Sequence, residues 1–207
     1  MTDLSKTYLF RMTHIENIPH ILKYGITHQS SHNANPDFVP IGDQSIISTR
    51  NDFVLNNGKK LGDYIPFYFG ARTPMLYVIQ NGFNMVNPTP AENIVYCITS
   101  VQKIIEQQSE FVFTNGHAVD VFTTQYSTTD ILNIDNIIDW KAVKATYWRD
   151  ENDLDLKRRK EAEFLVLGDI VAEAVLGFGV YNRNAQSRMI GFGADATKVL
   201  IKSDYYF

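Results

Sequence analysis

The run Ile65-Pro-Phe-Tyr-Phe-Gly70 contributes most to the interpretation of the fold. Its aromatic residues are typical of a β-strand, and its proline must lie at the start of that strand or on an edge, because proline donates no ladder hydrogen bond. Successive side chains of a strand point to opposite faces. We therefore expect Phe67 and Phe69 to face the core, whereas Tyr68 is free to line a cleft.

Other short apolar runs repeat this pattern along the chain. A helix capped by Asn17 and closed by Gly25 follows the first of them, and residues 45–48 are compatible with another strand. Many short strands with few helices predict an α+β fold, with one domain over residues 1–207. The predicted strands cover residues 8–10, 65–70, 94–99, 111–114, 164–167, 171–178 and 199–201.

The composition excludes several classes of protein. The chain has 207 residues, 44% of them hydrophobic, with 19 Lys+Arg against 23 Asp+Glu. Disorder is excluded by the apolar content, and a net charge of −4 argues against a protein that coats nucleic acid, although a local basic groove stays possible. Cys97 is the single cysteine, which excludes a disulfide framework and a multi-cysteine zinc site. We expect no metal.

No apolar run approaches the roughly 20 residues needed to span a bilayer. Residues 1–6 are polar and lack the apolar core of a signal peptide. These features predict a soluble cytoplasmic protein with no membrane partner.

A basic run precedes two glutamates in Lys157-Arg-Arg-Lys-Glu-Ala-Glu163. Such a run is usually a solvated ion-pair face. A carboxylate that leads directly into the apolar residues 164–167 is, however, costly unless it serves a site. The residues alone leave both interpretations open.

Two further segments carry polar residues at the ends of predicted strands. Arg11 lies between a strand and a capped helix, where a cation and backbone amides can meet an anionic ligand, although a solvated arginine is the commoner outcome. His117 follows a buried strand on the turn at Asn115-Gly116. Since no cysteine or second histidine accompanies it at ligand spacing, a structural hydrogen-bonding role is more common than a metal site.

Taken together, these segments resemble the DarT family, the toxins of bacterial DarT–DarG toxin–antitoxin pairs, which ADP-ribosylate bases in single-stranded DNA. Any one of the motifs is weak, but six in the same order are specific, and they extend over most of the chain. The matching stretches are Thr13-His-Ile-Glu-Asn17 with Ile21-Leu22, Asp63-Tyr-Ile-Pro-Phe-Tyr-Phe69, Arg72-Thr-Pro-Met-Leu-Tyr77, Phe111-Val-Phe-Thr-Asn-Gly-His117, Tyr147-Trp148 and Glu161-Ala-Glu-Phe-Leu-Val166.

The resemblance implies an ADP-ribosyltransferase fold, with two packed antiparallel β-sheets, flanking helices and an NAD cleft between the sheets. It implies a triad of Arg11, Tyr68 and Glu163, with histidine in many relatives where this chain has Arg11. NAD is then the substrate and source of ADP-ribose, and nicotinamide is released. Thr13, His14 and Asn17 are expected beside the nicotinamide end of NAD.

These assignments agree with the chemistry. Breaking the nicotinamide–ribose bond develops an oxocarbenium cation, which a fixed carboxylate such as Glu163 stabilises best where water is excluded. The same carboxylate orients the ribose by a hydrogen bond to its 2′-hydroxyl. Tyr68 would stack on the nicotinamide ring, and Arg11 would hold the nucleotide.

The resemblance also implies a DNA side. The segment before Glu163 is where the superfamily keeps its substrate-recognition loop, and basic residues beside aromatic ones are the mixture expected for binding single strands. Thymine-modifying relatives have a longer region after the first helix, with an arginine thought to activate the acceptor, and Arg50 is its counterpart here. Guanine is weakly favoured as the target, and thymine is the alternative. The DNA-contact candidates are Arg72, His117, Tyr147, Trp148, Arg158 and Arg159.

A toxin of this kind needs a partner that neutralises it, and the resemblance implies a DarG-like macrodomain or another ADP-ribosyl hydrolase. Two alternatives remain. The same fold could modify RNA, protein or a small molecule, or the chain could be a non-catalytic module that binds single strands.

Overall fold

Eight strands form the centre of the molecule in the computed structural model, which describes residues 2–207 apart from the side chains of Gln44 and Met85. Met1 lies outside the described residues. It is the first residue of the predicted domain and of the predicted polar N-terminal stretch. The strands are β1 (Tyr8–His14), β2 (Tyr64–Tyr68), β3 (Ile94–Ser100), β4 (Phe111–Thr114), β5 (Gln125–Tyr126), β6 (Glu163–Leu167), β7 (Gly177–Val180) and β8 (Val199–Ile201).

The strands are hydrogen-bonded in the order β5-β4-β6-β2-β1-β3-β7-β8. Neighbouring strands are antiparallel except for β7 and β8, which are parallel. The α+β class with mainly antiparallel strands is therefore confirmed. The expected division into two packed sheets is not confirmed, because the two halves continue into each other where Phe10 of β1 pairs with Tyr68 of β2.

Pro66 lies in the middle of β2, which is an interior strand, rather than at a strand start or on an outer edge as the sequence predicted. The carbonyl oxygen of Pro66 accepts a hydrogen bond from Arg11 Nη1 at 3.0 Å. The nitrogen and carbonyl of one residue point to the same side of a strand, so the missing N–H faces β1. A proline is tolerated there because β1 and β2 are paired at Phe10 and Tyr68 and not at Pro66.

One face of the sheet is covered by the main hydrophobic core. Phe67 and Phe69 belong to this core, as their shared strand face predicted, and Phe164 of β6 belongs to it as well. Two smaller clusters cover the opposite face. One surrounds Tyr64 and Leu165 on the β2–β6 half, and the other surrounds Tyr96 on the β1–β3 half. Tyr68 and Glu163, whose side chains share that face, lie between the two halves.

The helices are short and connect the strands. The helix predicted after Asn17 is α1, and Gly25 ends it with a φ of +81°, a backbone conformation that favours glycine. None of the helices in residues 2–207 is long and apolar enough to cross a membrane. They are α1 (Ile18–Tyr24), α2 (Gln44–Asp52), α3 (Pro74–Asn81), α4 (Val101–Glu106), α5 (Ile134–Ile137), α6 (Trp140–Lys144), α7 (Leu156–Lys160) and α8 (Arg183–Gly191).

Three predicted strands were wrong in extent or type. The strand predicted over 8–10 continues to His14, so Arg11 lies inside β1 rather than at its end. Residues 45–48 belong to α2, because the Asp43 carboxylate caps the amides of Ser45 and Ile46 and starts a helix. In the segment 171–178 the strand begins only at Gly177, after a 3₁₀ turn.

Candidate active site

A buried carboxylate occupies the junction of the two halves of the sheet. Glu163 is the first residue of β6, is 0% exposed, and pairs in register with Tyr68 of β2. Its Oε1 accepts hydrogen bonds from Arg50 Nη1 at 3.1 Å and from the amide of Ala118 at 2.9 Å. Its own amide donates to Thr114 Oγ1 at 3.1 Å. The strand, α2 and the loop after β4 therefore all fix this side chain.

Glu163 and Arg50 are both charged despite their burial. Burial raises the pKa of Glu163, but the charge and hydrogen bonds of Arg50, together with His117 and the Ala118 amide, lower it further, so the net pKa lies below the ordinary value. Burial lowers the pKa of Arg50, and the Glu163 carboxylate more than reverses that effect. At neutral pH the site holds an ionised carboxylate that is shielded from water.

The second oxygen of the carboxylate forms an ion pair with Arg50. Glu163 Oε2 lies 2.8 Å from Arg50 Nη2. The two groups are not aligned for a hydrogen bond, and within residues 2–207 the buried Oε2 accepts none. A buried acceptor without a donor is costly, so this oxygen is suited to a hydroxyl group of a bound ligand.

Tyr68 lies directly beside the carboxylate. It is paired with Glu163 on one side and with Phe10 on the other, and its side chain is half-buried. Burial raises the pKa of Tyr68, the charges of Glu163 and Glu161 raise it further, and Arg50 lowers it. The phenol is therefore neutral and its ring is held in place for stacking.

The predicted NAD-binding residues near the start of the chain lie on β1 and on the turn between β1 and α1. Arg11 spans the gap between β1 and β2 by its bond to the carbonyl of Pro66. His14, at the end of β1, accepts a hydrogen bond from the Glu16 amide at 3.3 Å, and burial lowers the pKa of His14. Since the imidazole is neutral at neutral pH, it can take part in hydrogen bonds as donor or acceptor.

Asn17 and Thr13 are buried and bonded to each other, with Asn17 Nδ2 donating to Thr13 Oγ1 at 2.9 Å. The Asn17 amide also donates to the carbonyl of Val39 and accepts from its N–H, both at 2.8 Å. The side chain therefore does not cap α1 as predicted. It holds the polar loop between α1 and α2 against the end of β1, which makes it a positioning residue.

We expect Asn17→Ala to lower the free energy of unfolding by about 1–3 kcal/mol, because the backbone groups of Val39 lose their buried partners. The loop around Val39 should also become more sensitive to limited proteolysis. Urea denaturation and a proteolysis time course measure both effects. Asn87→Ala, at an exposed position, is the matched control. Equal stability of the two variants would contradict this role.

The loop after β4 is anchored to α7 by Arg158. Its Nη1 donates to Asn115 Oδ1 and to Thr123 Oγ1, each at 3.3 Å, and its carbonyl accepts from the His117 amide at 3.0 Å. A Cβ at Gly116 would collide with the guanidinium, which explains the glycine. The Ala118 amide of this loop bonds Glu163, so the preceding residue, His117, lies near the carboxylate. Burial lowers the pKa of His117, and the Glu163 charge partly opposes that shift.

Arg158 and Arg159 are engaged by carboxylates within the segment that precedes Glu163. Arg158 Nε and Nη2 lie 2.6 and 2.7 Å from the Asp155 carboxylate. Arg159 forms ion pairs with Asp139, Asp153 and Asp155. DNA contact by these two arginines stays a prediction, and in this structure their charges hold the loop together.

The remaining DNA-contact candidates gather on another part of the surface. The Arg72 guanidinium lies 4.6 Å from the centre of the Phe207 ring, and the Trp148 ring packs edge-on to Phe207 and Tyr77. Tyr147, beside them in sequence, is 76% exposed. Next to this aromatic group is a cavity of about 910 Å³ whose lining includes Arg72 and the buried Lys160.

Two functional features were not singled out by sequence reasoning. The amide of Ala118 that bonds Glu163 belongs to a residue type that carries no signal. Glu161 is 8% exposed and ends α7, and burial raises its pKa to about 7. The sequence shows that Glu161 lies two residues before Glu163, but burial is a tertiary property that the sequence does not show. Within residues 2–207, no group of three or more His, Cys, Asp or Glu side chains is placed to hold a metal ion.

A match to a family model shows which protein family this chain belongs to. The model described as "ssDNA thymidine ADP-ribosyltransferase, DarT" matches residues 10–207. The chain belongs to the DarT family. It is 30% identical to a "DNA ADP-ribosyl transferase" of Thermus sp. (strain 2.9), over 97% of this chain and 96% of that protein. The family expected from the motifs is confirmed.

Solved DarT structures agree with the fold. The structure of Thermus sp. 2.9 DarT in complex with ADP-ribosylated ssDNA has a TM-score of 0.84 and 28% identity, and covers 100% of this chain and 99% of its own. The same Thermus protein has been solved with NAD+. A further DarT relative, from Thermosipho africanus (strain H17ap60334), is a "DNA ADP-ribosyl transferase-DNA ADP-ribosyl glycohydrolase fusion protein". It is 31% identical over 76% of this chain and 38% of its own length.

Proposed function

We propose that this DarT-family chain transfers ADP-ribose from NAD to a base in single-stranded DNA and releases nicotinamide. The observation that carries the proposal is the ionised, water-shielded carboxylate of Glu163 beside Tyr68, held by Arg50 and the Ala118 amide. Its relatives support the acceptor and the donor, since the Thermus protein is known in complex with ADP-ribosylated ssDNA and with NAD+.

In this reaction Glu163 faces the anomeric carbon of the nicotinamide ribose. Cleavage of the bond to nicotinamide leaves positive charge on the ribose, and a fixed carboxylate in a dry site stabilises that charge. Its unpartnered Oε2 accepts a hydrogen bond from a ribose hydroxyl. Tyr68 stacks on the nicotinamide ring, and Arg50 keeps the carboxylate ionised.

The NAD side of the site consists of Arg11, Thr13, His14 and Asn17. Arg11 provides a cation at the gap between β1 and β2, and His14 provides a neutral imidazole at the end of β1. Thr13 and Asn17, which are buried, hold the loop around Val39 against the end of β1. We retain Arg11 as the counterpart of the histidine found in many relatives.

The DNA side comprises Tyr147 and Trp148, Arg72 on the wall of the larger cavity, and His117. Exposed aromatic rings beside cations bind single strands by stacking and by phosphate contacts. Arg158 and Arg159 hold together the segment that precedes Glu163 by ion pairs with Asp155 and Asp139, and we keep direct DNA contact by them as a proposal.

The target base is the least constrained part of the proposal. Comparison with thymine-modifying relatives weakly favours guanine, whose exocyclic amine needs less activation than the ring N–H of thymine. The family description names thymidine. Both bases are therefore compared directly.

We expect one of four homopolymer oligonucleotides, incubated with NAD, to gain the mass of one ADP-ribose while nicotinamide is released. Mass spectrometry of the oligonucleotides measures the product, and Glu163→Ala is the inactive control. A product on poly-dG or poly-dT identifies the base. Modification of RNA, protein or a small molecule instead of DNA would favour the alternative acceptor, and oligonucleotide binding without nicotinamide release would favour a non-catalytic binding module.

A DarG-like macrodomain or another ADP-ribosyl hydrolase is the proposed partner, since it would reverse the modification in a toxin–antitoxin pair. The fused glycohydrolase of the Thermosipho relative supports this pairing. The continuous eight-stranded sheet supports a single domain over residues 1–207. A cytoplasmic location stays a prediction.

A further inference from the structure

A buried ammonium lies three residues before Glu163. Lys160 is the last residue of α7 and is 3% exposed. Its Nζ donates hydrogen bonds to the carbonyl oxygens of Val143 at 3.0 Å and of Ala145 at 2.6 Å, where α6 ends. Within residues 2–207 it forms no ion pair with a carboxylate. These two carbonyl groups therefore replace the water that the ammonium loses on burial.

Burial of this ammonium is unfavourable by itself. Burial lowers the pKa of Lys160 to about 8, the charge of Arg72 adds to that shift, and Glu161 opposes it. The group is therefore mostly protonated at neutral pH. A methionine of similar length would fill the space without the cost of removing a charge from water. A lysine here indicates that the charged hydrogen bonds to Val143 and Ala145 are what the position requires.

Helix α6, which provides both carbonyl groups, rests on the end of β2. The Trp140 ring packs edge-on against Phe69, with the ring centres 5.7 Å apart. A Cβ at Gly70 would lie 2.8 Å from a methyl group of Val143, so the helix and the end of the strand are in close contact. The helix is therefore fixed on β2, and Lys160 joins it to α7.

The chain leaves α6 without further backbone support. Residues 146–149 belong to no helix or strand, and they form no backbone–backbone hydrogen bond within the described part of the chain, 2–207. The bond from Lys160 to Ala145 is the last one to the backbone before them. Tyr147 is 76% exposed, and the ring of Trp148 packs against aromatic neighbours at the far end. The path of this segment therefore depends on Lys160 at one end and on Trp148 at the other.

We propose that Lys160 is a positioning residue for DNA recognition, because its bonds to α6 fix the point from which the segment of Tyr147 and Trp148 extends. The inference rests on the proposed binding of single-stranded DNA by that segment. Lys160 acts through the segment and not through the reacting atoms. Glu163 has hydrogen-bond partners of its own, so loss of the ammonium should impair the use of DNA more than the use of NAD.

Lys160→Met removes the ammonium and keeps the length of the side chain. We expect the KM for the oligonucleotide that the wild type modifies to rise about 10-fold, the effect of losing one stacked base. Both kcat at saturating oligonucleotide and the KM for NAD should change much less. Steady-state kinetics with each substrate varied in turn measures this split. Lys141→Met, at an exposed lysine of α6, is the matched control and should leave all three values unchanged.

Two further variants separate the charge from the size of the side chain. Lys160→Arg keeps a cation with several donors, and the cavity of about 910 Å³ beside Lys160 has room for the larger group. We expect its KM for the oligonucleotide to stay close to the wild-type value. Lys160→Gln is shorter and uncharged, and it should reproduce the rise in KM even where Lys160→Met does not fold.

Trypsin gives a measurement that needs no DNA. Lys144 and Arg149 are exposed and flank the segment, so cleavage after them reports how firmly it is held. We expect Lys160→Met to be cut at these two sites faster than the wild type, and Lys160→Arg to be cut at the wild-type rate. Mass spectrometry of the fragments over time identifies the sites.

An unchanged KM for the oligonucleotide in Lys160→Met would overturn the positioning role. Equal losses in kcat and in the KM for both substrates would also overturn it, since they indicate general damage to the fold. Lys160→Arg as impaired as Lys160→Met would do the same. A wild-type protein that releases nicotinamide but modifies no oligonucleotide would refute the proposed function itself, whereas tryptic cleavage would still show whether Lys160 holds the segment.

Discussion

Glu163→Gln is expected to lower the rate of ADP-ribose transfer by about 10²–10³-fold or more, the cost of removing one preorganised electrostatic group from a transition state. The substitution keeps the shape of the side chain and its acceptor for the Ala118 amide. It removes the negative charge that would face the developing oxocarbenium cation. Single-turnover transfer to an oligonucleotide measures the loss, and NAD binding measured by titration should change much less.

Glu151→Gln, in the exposed loop before α7, is the matched control for charge. A parallel loss of NAD binding and transfer in Glu163→Gln would indicate collapse of the site rather than loss of transition-state stabilisation. Transfer at the wild-type rate would rule out Glu163 as the catalytic carboxylate.

Arg50→Met is expected to leave the buried Glu163 carboxylate without its countercharge. Breaking one side of a buried ion pair costs about 3–5 kcal/mol, so the free energy of unfolding should fall by that amount at about pH 8. The pKa of Glu163 should then lie above its wild-type value, because burial still raises it and only His117 and the Ala118 amide remain to lower it. Transfer should require a higher pH than in the wild type, since the carboxylate must be ionised.

The loss of stability in Arg50→Met should depend on pH, because the pKa of Glu163 differs between the two proteins. In the wild type, the lowered pKa of Glu163 contributes stability that is present above the unfolded pKa and is lost as pH falls through the folded one. In Arg50→Met the pKa of Glu163 is higher than in the wild type, so its folded state loses less stability as pH falls. The stability gap between the two proteins should therefore narrow as pH falls from about 8 to below 4.5, the ordinary pKa of this carboxyl. Urea denaturation at several pH values measures it, with Arg183→Met on the exposed side of α8 as control. A gap independent of pH would contradict this account.

The strands of the centre were predictable as short apolar runs rich in aromatic and β-branched residues. Alternation in the segment 65–70 also placed Phe67 on the core side of β2, where the structure has it. Helix α2 was harder to predict from the sequence, because the adjacent Ile46 and Ile47 do not have the spacing of an amphipathic helix. The decisive contact is local, between the Asp43 carboxylate and the next amides, and an Asp before a short segment is a weak but usable signal.

From the sequence, the site residues were predictable only because the motifs that contain them occur in the order found in the family. Tyr68 and Glu163 follow from the motifs, and pairing of β2 with β6 brings them together. The ion pair of Arg50 and Glu163 joins residues 113 positions apart, and no spacing rule predicts it. Burial of Glu161 likewise depends on how α7 meets the loop after β4, which is a tertiary property.

The position of Cys97 has a practical consequence. The thiol is 1% exposed in the middle of β3, between Arg11 of β1 and Phe178 of β7, and burial raises its pKa to about 12. An alkylating reagent needs the thiolate and direct access, so it can react only after the central strands separate. Because the sequence has one cysteine, thiol labelling reports the opening of the sheet centre without any engineered probe.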